Sequence, residues 1–324
     1  MENRRLGRSG IEISPLGLGT ARLAGLGWHD ESAPQDTATA QREGVRQIQA
    51  AVDLGVTLFD TADNYGQGFS EHVLGEALRG RREGIVVVTK FGEDPMPEQG
   101  DPWALSADVV AQKCEASLRR LQVDCLDLYL LHRRDYPLER AAEMVDVLEG
   151  LVQGGKIRYY GWSTDDVERA RLFAGGAHCI AIEHRLNVFN DNPAMLELCR
   201  EQDLASLNRG PLLMGVLTGR WSAETKLEQD DPRAPWFEHQ EFLKVLVCVE
   251  ELKPLLTSGG RSVVQGALGW IWARSPLTIP LPGFRSLAQM QALVQAQQFG
   301  PLSEAVMREI AARVEAAGFG RGNQ

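Results

Sequence analysis

Cysteine is too sparse and too scattered in this sequence to hold a fold together. The five residues, Cys114, Cys125, Cys179, Cys199 and Cys248, are scattered, odd in number and form no C-x-x-C pair, so neither a disulfide framework nor a zinc knuckle is supported. No metal site is expected. Basic charge is also short: 34 Lys and Arg stand against 44 Asp and Glu, a formal net charge of −10. That balance argues against a nucleic-acid or anionic membrane surface, although local basic groups can still receive a small anion. No apolar run approaches the length of a membrane span, and the opening MENRRLGRSG lacks an apolar signal region. A cytoplasmic protein with a small-molecule partner, and neither nucleic acid nor membrane, is the expectation. No linker or low-complexity stretch interrupts the chain, so residues 1–324 are read as one domain.

What is present is an alternation of short apolar runs with helix-period segments. Candidate strands are residues 16–19, 57–60, 85–90, 127–131, 157–161, 179–183, 205–208 and 277–280. Runs such as IVVV and LDLYLL are apolar on successive residues, the pattern of a parallel strand covered on both faces. Between them, residues 41–54 read as a helix ended by Gly55, and residues 143–152 as one ended by Gly154 and Gly155. Ser106 and Ser286 stand where helix N-caps are needed. Eight such alternations point to an α/β fold, a (β/α)8 TIM barrel, although periodicity alone leaves an open doubly wound sheet possible.

Three parts fall outside the repeat. RRLGRSGIEISPLGLG reads as an N-terminal β-hairpin turning at Ser9-Gly10, able to plug the barrel floor. Residues 222–235 have the composition of a long surface loop, and residues 303–317 read as an extra C-terminal helix.

In a barrel, function gathers at the C-terminal ends of the strands. Three ionisable residues end apolar runs: Asp60 in VTLFD, Lys90 in VVVTK and His132 in LYLLH. Tyr65 follows in FDTADNYG, close enough in sequence for its hydroxyl to return over the strand ends. Each alone has a commonplace explanation, as a turn residue, a solvated lysine or a structural histidine. Together they form a proton-donor device. A tyrosine with pKa about 10 is a poor acid-base catalyst near neutrality unless its phenolate is stabilised. A buried lysine ammonium does this, and Asp60 keeps that lysine charged. His132 can bond a substrate carbonyl or relay a proton to Tyr65.

FDTADNYG, VVTKFG and LYLLHR resemble, in order and spacing, the signature segments of the aldo-keto reductases, with a bacterial-type pattern. RRLGRSGIEISPLGLGT, GKIRYYGWST, PLLMGVLTGR and IPLPGFRSLAQ extend the resemblance over almost the whole chain. It implies a (β/α)8 barrel that binds a nicotinamide cofactor without a Rossmann domain, and hydride transfer to an aldehyde or ketone with Tyr65 protonating the oxygen. By the family pattern Asp60 and Lys90 tune Tyr65, and His132 orients the carbonyl.

The same resemblance places cofactor-binding residues. Gly19, Thr20 and Asp60 lie at the first strand ends, and Ser163, Thr164 and Glu183 stand where the family holds the nicotinamide amide with Ser, Asn and Gln. An ionised Glu can accept from the carboxamide NH2 but cannot donate to its oxygen. Arg209 with Pro211, Leu212, Gly215, Leu217 and Gly219 matches the loop that wraps the pyrophosphate. Gly283, Phe284, Arg285, Ser286 and Gln289 match the segment that grips the adenosine 2′-phosphate, which favours NADP, with NADPH over NADH. The adenine-holding residues expected next are replaced by Ala292 and Leu293. Trp28, Trp103 and Arg133 are the candidate substrate residues, with Trp221 and Trp236 in further loops, while Trp270 and Trp272 read as helix packing. The four cofactor departures leave two alternatives: a non-catalytic or regulatory cofactor-sensing barrel, or a related enzyme repurposed for another reaction.

Overall fold

The computed structural model describes residues 1–23, 37–93, 101, 103–227 and 233–319. The first pair of strands, β1 (Arg4–Arg5) and β2 (Glu12–Ile13), forms an antiparallel hairpin. The main sheet contains β3 (Leu18–Gly19), β4 (Leu58–Asp60), β5 (Val86–Phe91), β6 (Leu126–Leu131), β7 (Ile157–Ser163), β8 (Cys179–Arg185), β9 (Ala205–Arg209) and β10 (Thr278–Pro280), parallel and in chain order. The two edges meet: Gly17 and Gly19 donate backbone bonds of 3.1 Å to Pro280 and Pro282, and Gly19 bridges Gly283. The eight strands therefore close into a barrel, and the doubly wound alternative is excluded.

The helices covering it are α1 (Thr37–Asp53), α2 (Phe69–Ala77), α3 (Ala107–Leu121), α4 (Leu138–Gln153), α5 (Val167–Ala174), α6 (Pro193–Glu201), α7 (Gln240–Leu256), α8 (Val263–Arg274), α9 (Leu287–Gln295) and α10 (Glu304–Ala316). The expected caps form. Ser106 and Ser286 accept from Val109 and Gln289 amides, and Gly55 and Gly155 take left-handed backbone after α1 and α4. Helix starts lie earlier than the sequence patterns indicate, at Thr37 and Leu138, because the first turns carry polar residues that periodicity does not count.

Successive apolar residues divide between two environments, as the pleat requires. Leu58, Val86, Val88, Leu128, Leu130, Ala181, Ala205, Leu207 and Ile279 fill the barrel. Their neighbours Phe59, Val87, Phe91, Tyr129, Leu131 and Ile182 pack outward against the helices. Leu6 and Ile13 of the hairpin enter the interior cluster from below, so the hairpin plugs the floor as expected. Its turn is tighter than a simple two-residue loop, a 3-10 turn over Gly7–Ser9 followed by Gly10 at φ 72°. Gly7 must be glycine there: a Cβ would lie 2.3 Å from the Ile180 carbonyl. The Arg8 guanidinium fastens the plug, donating to the Cys179, Ala174 and Gly176 carbonyls at 2.7–2.9 Å.

One element escaped the sequence reading. After the loop region, α7 is an additional helix inserted before α8, so the β9 to β10 crossing carries two helices. Leu246, Val249, Leu252 and Leu256 of α7 pack with Trp270 and Ile271 of α8 and Ile310 and Val314 of α10 in a second core. Its periodicity is that of any amphipathic helix, and nothing local marks it as supernumerary. Trp270 and Trp272 are buried as expected, with Trp272 Nε1 donating to the Pro15 carbonyl at 2.8 Å. No described helix is long and apolar enough to cross a membrane.

Candidate active site

Strand parity decides which side chains reach the barrel mouth. Asp60 lies two residues beyond Leu58, Lys90 beyond Val88, His132 beyond Leu130 and Glu183 beyond Ala181. Each continues the inward-facing row of its strand, so four strands aim ionisable side chains at one point. Lys90 is fully buried. Its Nζ lies 2.5 Å from Asp60 Oδ1, donates to the Thr61 carbonyl at 2.9 Å, and stands 3.4 Å from Glu183 Oε2.

Tyr65 returns over the strand ends through a turn closed by Tyr65 N bonding the Ala62 carbonyl. Lys90 Nζ is 5.4 Å from its ring centroid, and the His132 ring meets it edge-on at 6.1 Å. The four residues that the sequence singles out are thus brought together. Thr20 steadies Asp60 from β3, its Oγ1 donating to the Asp60 carbonyl at 2.8 Å while accepting from Ser70 Oγ at 2.7 Å.

The charges of this cluster follow from its dryness. Burial alone would push Lys90 towards the neutral amine, but Asp60 and Glu183 outweigh it and hold the ammonium above the ordinary lysine value. Burial, then the charge of Glu183, raises the Asp60 carboxyl well above its usual range. Burial raises the Tyr65 phenol, with Lys90 opposing. Burial, reinforced by Lys90, Arg134 and Arg209, holds His132 well below the usual imidazole value, so it is neutral near pH 7. A neutral imidazole beside an ammonium-backed phenol can donate or relay a proton without adding charge.

Glu93 was missed. Its Oε2 lies 3.0 Å from His132 Nε2, and its other oxygen faces Arg134 at 3.9 Å. It follows Gly92 in a loop with no sequence mark, since loop carboxylates are common and only the fold carries this one over β6.

The residues expected to line a cofactor are placed unevenly. Ser163 and Glu183 sit side by side at the ends of β7 and β8, Ser163 Oγ donating to Glu183 Oε1 at 2.9 Å. The Thr164 hydroxyl is engaged elsewhere, donating to the Arg134 carbonyl at 2.9 Å and accepting from Asp166 N. It ties the loop after β6 to β7. Arg209, at the end of β9, pairs with Asp165.

Beyond Arg209, Gly210, Pro211 and Leu212 lead into a 3-10 stretch, Leu213–Thr218, that contains Gly215 and Leu217 and ends at Gly219. Leu213, Met214, Gly215 and Gly219 all have positive φ there. For Leu213 and Met214 that is strained backbone, costing on the order of 1–3 kcal/mol each, of the kind found where a loop is shaped for a ligand.

Gly283 opens the turn into α9, where Arg285, Ser286 and Ala288 are exposed while Phe284 is core. Gln289 Oε1 accepts from the Arg285 amide at 2.9 Å, so this side chain braces the turn. Leu293 packs in the main core and Ala292 is exposed, and neither offers a polar group.

Trp28 lies outside the described residues. Trp103 packs edge-on to Tyr136 at 6.3 Å, with the Arg133 guanidinium over its ring at 5.2 Å. Trp221 and Trp236 pair with Phe237 and Phe242 beside α7, so these two support the inserted helix.

Comparison with known proteins gives a concordant result. Residues 15–315 match the family model described as the aldo/keto reductase family. The chain is 34% identical over 300 residues to the aldo-keto reductase YhdN of Bacillus subtilis, covering 90% of this chain and 88% of that one. The solved glycerol dehydrogenase of Gluconobacter oxydans superposes with a TM-score of 0.82 at 28% identity, over 99% of this chain and 98% of its own. An aldo/keto reductase of Klebsiella pneumoniae, solved in complex with NADP and acetate, superposes with a TM-score of 0.71 at 25% identity, over 100% and 98%.

Proposed function

This chain belongs to the aldo/keto reductase family of oxidoreductases, and on that premise we propose that it is an NADPH-dependent reductase of aldehydes or ketones. The observation that carries the proposal is the dry constellation at the mouth: Lys90 within 2.5 Å of Asp60, 5.4 Å from the Tyr65 ring centre, and His132 edge-on to the same ring. A barrel that only bound a ligand would gain nothing from a buried ammonium under a phenol, because such a group costs several kcal/mol to desolvate.

The residues present can hold a nicotinamide dinucleotide. The exposed first turn of α9, with Arg285 beside it and a Ser286 cap, suits a phosphate and favours NADP over NAD. The strained Leu213–Thr218 stretch suits a pyrophosphate, and Ser163 with Glu183 suits the carboxamide as acceptors. Gly19 and Gly283, bridged backbone to backbone, present no side chain at that point of the rim, which suits close approach of a dinucleotide. When bound, the reduced nicotinamide supplies the hydride.

The chain's own residues supply the rest. The Tyr65 hydroxyl addresses the carbonyl oxygen, and neutral His132, whose Nε2 meets Glu93 at 3.0 Å, turns its single N–H to the same oxygen when a substrate is bound. As negative charge grows on that oxygen, Tyr65 passes its hydroxyl proton to it. Lys90 stabilises the phenolate left behind, and Asp60 keeps Lys90 charged throughout. In the reverse direction the Tyr65 phenolate takes the proton from an alcohol. Trp103 with the Arg133 guanidinium over its ring, an aromatic face with a cation on it, suits one wall of the substrate side.

The test is loss of nicotinamide absorbance with a panel of aldehydes, ketones and quinones. Wild type should turn over members of the panel with NADPH, and Tyr65→Phe should lose about 10²–10⁴-fold in kcat while still binding NADPH. Full activity in Tyr65→Phe would refute the mechanism. Absence of both turnover and NADPH binding would refute the function.

A further inference from the structure

The barrel mouth holds one more acid than the proton-transfer site needs. A single ammonium, Lys90 Nζ, faces two carboxyl groups, Asp60 at 2.5 Å and Glu183 at 3.4 Å. The three side chains are 0%, 8% and 3% exposed, so water does not separate their charges. Glu183 Oε1 accepts from Ser163, whereas its Oε2 has no hydrogen-bond donor among the described residues and meets Lys90 only as an ion. Fully ionised, the three groups would leave one uncompensated negative charge in a dry site, which is strongly unfavourable. Two carboxyl groups crowded on one site resolve this by retaining a proton between them.

We infer that Asp60 and Glu183 share one proton around Lys90, and that Glu183 is a positioning residue setting how readily Tyr65 releases and regains its own. With the shared proton present, the cluster is one ammonium, one carboxylate and one acid, and it is neutral. When that proton leaves to solvent at higher pH, a second carboxylate appears within electrostatic reach of Tyr65 and opposes the support Lys90 gives its phenolate. The upward displacement of Asp60, caused by burial and then by Glu183, fits this count.

Among the described residues, the other charged groups that act on Tyr65 and His132 do not supply the missing compensation. Glu93, beyond β5, also acts on Tyr65 and adds negative charge. His132, beyond β6, is held neutral, and Arg134 and Arg209 act on it and on Glu93 further out. His184, on β8 itself, is pushed down to about 4 chiefly by burial and is neutral as well. From β7 the Ser163 hydroxyl, an uncharged group, donates to the Glu183 carboxyl.

The proton sharing is independent of the reductase reading, while its effect on Tyr65 rests on it, and the experiment separates the two. Infrared difference spectra of the full chain at pH 7, wild type against Glu183→Gln, should show a carbonyl stretch of a protonated carboxylic acid that sharpens its shift in D2O and is lost in the variant. Ser163→Ala, which removes the hydroxyl bonded to Glu183 and no charge, should move the same band without abolishing it, and it decides the matter if Glu183→Gln fails to fold. Absence of a band responsive to either variant overturns the inference. In the kinetic arm, the alkaline limb of alcohol oxidation should move to lower pH in Glu183→Gln by on the order of one unit, because the opposing carboxylate no longer forms. A band that is present with an unmoved limb overturns the positioning role. A band that is present with no turnover of any alcohol or carbonyl supports the sharing and overturns the reductase reading.

Discussion

Replacing Lys90 with methionine removes the ammonium from the dry cluster and keeps its shape. Lys90 Nζ lies 5.4 Å from the Tyr65 ring centre. At the effective dielectric of about 20 that suits such sites, a unit charge at that distance stabilises a phenolate by about 3 kcal/mol. That corresponds to about two pKa units on Tyr65, in the direction of a weaker acid once Lys90 is gone. Alcohol oxidation, which needs the phenolate, should therefore fall roughly 100-fold at a given pH, and its alkaline limb should move up by about two units.

The same substitution leaves Asp60 and Glu183 without their cation. Breaking a buried pair by removing one member costs about 3–5 kcal/mol, and the denaturant midpoint should fall accordingly. The sign of the pH dependence is set by Asp60. Its native value is raised, so the stability it contributes is greatest below its unfolded value of about 4 and declines as pH rises through the native one. Without Lys90 the native value should rise further and the decline should extend to higher pH. The assay is oxidation and reduction rates against pH, with denaturant midpoints measured on the same preparations. A folded Lys90→Met protein whose oxidation limb stays in place would refute the electrostatic account of Tyr65.

Three further expectations follow from other parts of the structure. His132 is depressed when folded, so the stability linked to it is present above its unfolded value of about 6.5 and is lost as pH falls through the native one. Thermal midpoints of His132→Gln should flatten in that acid window relative to wild type, and an unchanged slope would remove the assignment. Gly161→Ala should destabilise by about 1–3 kcal/mol in denaturant titration, because a Cβ there would stand 2.1 Å from the Ala181 carbonyl beside the β7–β8 register shift. Arg285→Ala should weaken NADPH binding roughly 10–100-fold, the worth of a charge-assisted contact, and leave NADH binding nearly unchanged. Equal losses for both cofactors in a fluorescence titration would place Arg285 away from the 2′-phosphate.

Much of the site was legible because its rule is local. VVVTK ends an apolar run on Lys90 and LYLLH ends one on His132, so an ionisable residue at a strand end can be recognised from the run alone. The structure shows that both continue the inward rows of Val88 and Leu130. The strand runs were equally plain, since a parallel strand buried on both faces must be apolar on successive residues. Other features had no such rule. The α7 segment has the periodicity of any covering helix, and only its packing against α8 and α10 shows that it is inserted. Thr164 stands where a cofactor contact is expected, yet its hydroxyl holds the Arg134 carbonyl. Phe284 and Leu293 sit within or beside a cofactor-like segment but are core residues. Trp221 and Trp236, candidates for the mouth, support the inserted helix.

The sequence by itself determined an alternation of eight parallel-type strands with helices, and the chemical kinds of group that could reach the mouth, because these depend on apolar runs, helix period and residue type. Closure into a barrel and the inward register of each strand were decided by the tertiary structure. Tertiary structure alone decided which of those groups meet. Glu183 is distant along the chain from Asp60 and Lys90, and only the closure of eight strands into a ring sets all three within one dry contact. The charge of the site is therefore a property of that contact, since burial and Glu183 raise the Asp60 carboxyl while both acids hold the Lys90 ammonium charged.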